Sequence, residues 1–149
     1  MGMINIDVKF KKLTNSAQTP TKGSKYSAGF DLSADISEEI LIRPRETVKI
    51  PTGLAIEVPD GYFGAIAARS GLATKEGLRP ANCIGVADSD YRGEYMVALH
   101  NDSEVTRVVK PQQRIAQLII IPYLMCNLVE TDDLSDSQRG ASGFGSTGK

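Results

Sequence analysis

Apolar and polar residues alternate with a period of two through much of this chain, the pattern of strands with one buried and one wet face. Ile4, Ile6, Val8 and Phe10 alternate with Asn5, Asp7 and Lys9. Leu54, Ile56 and Val58 alternate with Ala55 and Glu57, and Tyr95, Val97 and Leu99 with Met96, Ala98 and His100. Residues 105–109 and 124–129 predict two further strands. Residues 115–121 are more continuously apolar and predict a strand buried on both faces. Pro44-Arg45, Pro51-Thr52-Gly53, Pro59-Asp60-Gly61 and Lys110-Pro111 read as turns between the runs. Many short strands with turns at this spacing predict an antiparallel, all-β, jelly-roll-like sandwich or barrel. One short helix is predicted, capped by Ser70, running over 71–76 and ended by Gly77. It is too short to stand without packing.

The chain has 149 residues, enough for one domain with a sizeable core. We expect a single domain over 1–149, with the core at about 1–129 and a mobile C-terminal arm at about 130–149. The arm begins acidic (Glu130, Asp132, Asp133, Asp136) and turns glycine-rich. A formal net charge of −1 argues against a broad basic surface for nucleic acid. No stretch approaches the ~20 apolar residues of a membrane helix, and the first residues lack the apolar core of a signal peptide. Cys83 and Cys126 are too few and too far apart for a disulfide framework, as expected of a cytoplasmic protein. His100 is the single histidine, which disfavours a histidine-based triad or a multi-histidine zinc site. Hydrolytic chemistry here would rest on a carboxylate and a metal.

Five segments carry candidate chemistry. In Ala28-Gly29-Phe30-Asp31-Leu32, an aspartate beside a glycine could hold a hydrated cation, or could bond its own turn backbone. In Ala68-Arg69-Ser70-Gly71-Leu72-Ala73, at the start of the predicted helix, Arg69 and Ser70 suit an anion, or form an ordinary cap. The stretch from Asn82 to Met96, NCIGVADSDYRGEYM, predicts a β-hairpin with Asp88 and Asp90 at its bend. Either aspartate could serve as a general base, and Asn82 with free backbone groups could pair with the edge of a base; a plain turn would use the same residues. In Pro111-Gln112-Gln113-Arg114-Ile115-Ala116-Gln117, the polar Gln117 inside an apolar strand needs a partner, because burying an unpaired amide costs about 1–3 kcal/mol. The tail at 139–149, RGASGFGSTGK, combines converging backbone amides, hydroxyls, the Arg139 charge and the flat face of Phe144, a set suited to a nucleotide.

In this order the five segments resemble the five motifs of the trimeric deoxyuridine triphosphatase (dUTPase) family. The stretch PTGLAIEVPDGY at 51–62 is similar to that family as well. The resemblance spans nearly the whole chain. It implies a jelly-roll-like homotrimer whose active sites lie between subunits. It also implies hydrolysis of dUTP to dUMP and pyrophosphate, which keeps dUTP out of DNA and supplies dUMP for dTMP synthesis. Asp88 matches the general base that activates water for attack on the α-phosphorus. Asp31 matches the carboxylate that holds Mg2+ through water. Arg69, Ser70 and Gly71 match a phosphate cradle, and Gln117 a contact near the α-phosphate. Asn82, Gly85, Val86, Ala87 and the backbone of Asp88, with Met96 nearby, match a slot for uracil, and Tyr91 a surface for deoxyribose. Arg139, Gly145, Ser146 and Thr147 match contacts to the outer phosphates, and Phe144 a stacking partner for the base.

Three positions depart from the family pattern. Ala68 stands where proline is usual, Ala87 where a larger apolar residue is usual, and Ser142 where the tail has glycine. If the tail needs a positive φ at Ser142, serine there costs about 1 kcal/mol. Two alternatives are a dCTP deaminase of the same superfamily and a nucleotide-gated regulator. Regulators of that kind often carry an extra segment after the third motif, for which the run from Met96 to Gln117 leaves no room.

Overall fold

The computed structural model describes residues 5–143. Ten strands lie among the described residues: β1 (Lys9–Lys12), β2 (Gly29–Ser33), β3 (Ile40–Ile42), β4 (Thr47–Glu57), β5 (Tyr62–Ala67), β6 (Leu78–Pro80), β7 (Gly85–Ala87), β8 (Glu94–Asn101), β9 (Arg107–Val109) and β10 (Arg114–Pro122). One antiparallel sheet has the order β1-β4-β8-β6, a second the order β2-β10-β5-β7, and β3 pairs with β9 alone. The inward residues of these strands make the core, among them Leu32, Ile42, Ile50, Leu54, Leu78, Val97, Leu99, Val109 and Ile115. Each such side chain contributes about 1.5–3 kcal/mol on removal from water. The all-β, jelly-roll-like expectation holds.

Several local expectations change. The 51–53 segment is an irregularity inside β4, where the register to β8 shifts between Pro51 and Ala55. Three β4 residues there oppose one of β8, so two are extra; Gly53 turns at φ 66°, a conformation glycine takes without a Cβ penalty, and its N–H donates to Glu94 Oε1 over 2.8 Å. The strand expected over residues 4–10 is narrower: β1 begins at Lys9, and Ile4 lies outside the described residues. Among the described residues β1 is paired on one edge, with β4. In β10, Ile115, Ala116 and Leu118 are buried, while the strand's far end emerges to partial exposure.

The predicted hairpin is a crossover between sheets. β8 pairs with β4 on one edge and, over Leu99–Asn101, with β6 on the other; β7 pairs with β5 instead. Segment 124–129, expected as a strand, pairs with no strand among the described residues, and Leu124, Met125, Leu128 and Val129 are almost fully exposed. Period-two alternation describes faces, and a strand also needs a partner edge.

The helix is shorter and wider than expected. A π-helical turn spans Leu72–Glu76, with Gly71 at its start. Ser70 makes no capping bond; its carbonyl accepts the Thr74 hydroxyl at 2.7 Å. Gly77 ends the turn at φ 69°, as the sequence indicates.

Candidate active site

The second sheet builds the first of two clefts. Gln117 on β10 faces Asp31 of β2 on one side and Ala67 of β5 on the other. The chain leaving β5 then brings Arg69, Ser70 and Gly71 to the same end of the sheet. Arg69 donates from Nε to Asp31 Oδ1 at 2.9 Å, and Arg114 from Nη1 to Asp31 Oδ2 at 3.0 Å. Gln117 Nε2 donates to the Ala68 carbonyl at 2.8 Å. The partner demanded by the half-buried amide is therefore backbone, and the bond fastens the turn that carries Arg69 and Ser70. Gly23, Ser27, Asp31, Arg69, Ser70, Arg114 and Gln117 line a cleft of about 280 Å³. Two guanidiniums surround one carboxylate, which leaves the cleft with an excess of positive charge suited to phosphate.

The second cleft, about 370 Å³, lies along β7 and β8. Asn82, Gly85, Val86, Ala87, Asp88, Tyr91 and Met96 all line it, so the structure gathers every residue the sequence assigned to a pyrimidine slot. Asp88 is exposed at the mouth, and its carbonyl accepts from Tyr91 N–H at 3.1 Å, closing the bend. Tyr91 donates its hydroxyl to the Glu94 carbonyl at 2.9 Å. Its ring lies 5.8 Å from that of Tyr95 at 42°. Asp90 does not line the cleft. Burial, more than its neighbours Tyr91 and Asp88, pushes the Tyr95 hydroxyl above its ordinary pKa.

The two clefts share no lining residue within one chain. Arg139 lines neither; it donates from Nε to the Ser142 carbonyl at 2.8 Å. The positive φ in this part of the tail belongs to Gly140, at 52°, and Ser142 carries none. Phe144, Gly145, Ser146 and Thr147 lie outside the described residues.

Sequence reasoning passed over Arg114 and Tyr95. Arg114 had a signal: it lies three positions before Gln117 in a segment already singled out. Tyr95 had none, because an inward tyrosine on an alternating strand reads as core.

Among the described residues, no three His, Cys, Asp or Glu side chains gather to hold a metal. Asp31 is the one carboxylate in the first cleft, and both its oxygens already accept from arginine. That donor set does not fit a metal held by protein alone. It does fit Mg2+ arriving with a polyphosphate, since Mg2+ keeps water and phosphate oxygens and needs only one or two carboxylates.

The dUTPase family model matches residues 15–148. The deoxyuridine 5'-triphosphate nucleotidohydrolase of Nautilia profundicola is 46% identical over 142 residues, which cover 95% of this chain and 99% of that protein. The nucleotidohydrolase of the same description from Paraburkholderia xenovorans is 43% identical over 147 residues, covering 98% and 99%. Among solved structures, the Staphylococcus bacteriophage 80alpha dUTPase, as a G164S mutant with dUpNHpp, superposes with a TM-score of 0.84 at 26% identity. That match covers 97% of this chain and 100% of the phage protein. Family match, whole-length relatives and a shared fold agree with the cleft chemistry, and the chain belongs to the dUTPase family.

Proposed function

We propose that this protein hydrolyses dUTP to dUMP and pyrophosphate at sites completed between copies of the chain. The observation that carries this reading is the division of chemistry. The cradle cleft holds cations but no free carboxylate, and the slot cleft holds the exposed Asp88 but lies apart from the cradle. Hydrolysis of a nucleoside triphosphate needs both at once. A homotrimer brings the slot of one copy to the cradle of another, and the arm of a third closes over the nucleotide. The exposed apolar residues Leu124, Met125, Leu128, Val129 and Leu134 support such an assembly, since one chain gives them nothing to pack against.

In this reading uracil enters the slot between Asn82, the β7 backbone and Met96, and Phe144 stacks on it from the arm. Tyr91 packs on deoxyribose, leaving no room for a 2'-hydroxyl. Arg69, Ser70, Gly71 and Arg114 hold phosphate oxygens, with Gln117 fixing the turn that presents them. Arg139, Gly145, Ser146 and Thr147 hold the outer phosphates. Asp88 takes the proton of the attacking water, which adds to the α-phosphorus as pyrophosphate leaves. Asp31 would hold Mg2+ through water, and the ion would supply neutralisation of charge on the triphosphate. Such chemistry belongs in the cytoplasm, where nucleotides are made. Among the described residues no helix is long and apolar enough to cross a membrane.

Pyrophosphate release from dUTP, dTTP, dCTP and UTP, with and without Mg2+, tests the proposal. Release from dUTP alone, stimulated by Mg2+, is expected; equal rates on dUTP and dTTP would overturn it. Ammonia release from dCTP would select the deaminase alternative. The regulatory alternative gains nothing from the fold, since Met96 to Gln117 runs through β8 and β9 into β10 with only short connections.

A further inference from the structure

The floor of the pyrimidine slot is built from very small residues. β7 lies against β5 with Ala87 opposite Gly64, Val86 opposite Ala65 and Gly85 opposite Ile66. A Cβ placed on Gly64 would lie 3.4 Å from the Ala87 methyl and 2.9 Å from Leu118 Cδ1. Beneath a glycine and an alanine, a well-packed sandwich would have a hole.

Tyr95 fills that space from the other sheet. It sits on β8, whose neighbours are β4 and β6, and its hydroxyl end reaches to 3.6 Å from the Gly64 Cβ position. The residue is 2% exposed and lines the slot together with Ile66, Gly85 and Ala87. Its ring backs the ring of Tyr91. Among the described residues, the Tyr95 hydroxyl is the one buried side-chain polar atom without a hydrogen-bond partner. A tyrosine kept in a site that gives its hydroxyl no bond is there for its reach.

We propose that Tyr95 is a positioning residue for base recognition: it props β7 from beneath and so sets the height of the backbone that reads the pyrimidine. The inference rests on the reading of this cleft as the uracil slot. One methyl in a yielding pocket is worth only about 10–200-fold in selectivity, so exclusion of a 5-methyl depends on backbone that cannot retreat. The ladder to β5 fixes the spacing of β7 within the sheet, the small pair Gly64 and Ala87 leaves space beneath that ladder, and the Tyr95 ring fills the space and keeps β7 from sinking into it.

The test compares kcat and KM for dUTP and dTTP in Tyr95→Leu and Tyr95→Phe, with circular dichroism to confirm folding. Tyr95→Leu shortens the prop. It is expected to raise KM for dUTP and to cut the dUTP-over-dTTP preference by about tenfold or more, with a smaller change in kcat. Tyr95→Phe keeps the ring and should retain the preference. A folded Tyr95→Leu with unchanged preference would overturn the inference. Loss of preference in both variants would overturn it too, by assigning the effect to the hydroxyl. Should Tyr95→Leu fail to fold, Ala87→Val crowds the same space from above and must also lower the preference, or the inference falls. Asn82→Ala separates the underlying reading: if neither it nor Tyr95→Leu alters the preference, the cleft does not read the base. If only Tyr95→Leu alters it, the prop stands and Asn82 leaves the slot.

Discussion

Arg69 donates from Nε to Asp31 Oδ1 over 2.9 Å, so the segment leading into the short helical turn is tied to strand β2. Arg114 holds the other carboxylate oxygen. With Asp31 mostly buried and Arg69 partly so, the pair lies between the weak exposed and the costly buried limits of ion pairing. Asp31→Ala is expected to lower stability by about 1–3 kcal/mol, read from denaturant midpoints, and to abolish Mg2+ stimulation of turnover. Unchanged Mg2+ dependence in a folded Asp31→Ala would remove the metal role from this residue.

Asp88→Asn should bind a non-hydrolysable dUTP analogue normally and lose about 10²–10⁴-fold in kcat, the usual contribution of a general base. Arg69→Ala should fail through phosphate binding. If the site is shared between copies, subunits of the two inactive variants, dissociated and reassembled together, regain part of the activity because some sites then carry both intact halves. No recovery in mixed assemblies would place both clefts' work within one chain.

Deletion of residues 139–149 should leave secondary structure and oligomeric state unchanged, because the core of the described residues is built without Arg139 to Gly143. Turnover of dUTP should fall sharply, chiefly through loss of contacts to the outer phosphates. Equal kcat/KM in the truncated protein would remove Arg139, Phe144, Gly145, Ser146 and Thr147 from the site.

Away from the clefts, Asp102 accepts from Arg79 Nε at 2.6 Å and from Nη2 at 3.2 Å. The hydrogen bond from Arg79 holds the Asp102 carboxyl below its ordinary pKa, with His100 and Arg45 adding smaller attractions. A carboxyl lowered by folding contributes stability that is fully present above its unfolded pKa of about 4 and disappears as pH falls through the folded value. Asp102→Asn should therefore be less stable than the parent at neutral pH, and the gap should close on acidification. Parallel stability curves from pH 7 to pH 2 would show that the pair does not couple to folding.

Tyr95 gives the opposite limb. Burial raises its pKa, so its contribution is complete below the unfolded value of about 10 and is lost as pH rises through the folded value. Tyr95→Phe removes an unpartnered buried hydroxyl and should stabilise by about 1 kcal/mol at neutral pH. Its advantage should widen above about pH 10, as measured by urea midpoints. A destabilised Tyr95→Phe would mean that the hydroxyl has found a partner.

The sequence by itself determined the residue chemistry and the faces of most strands. Tyr95, Val97 and Leu99 point inward as their alternation requires, and the slot residues from Asn82 to Met96 gather in one cleft because they are near in sequence. Local pattern says which way a side chain points, since successive residues of a strand alternate faces whatever the strand pairs with. It does not say which strand lies alongside. That β7 joins β5 and not β8, that Arg114 meets Asp31, and that Tyr95 reaches beneath Gly64 from the opposite sheet were decided only by the tertiary structure. These pairings depend on which edges remain free once the sheets have formed, and on how small residues in one sheet and large ones in the other share the space between them.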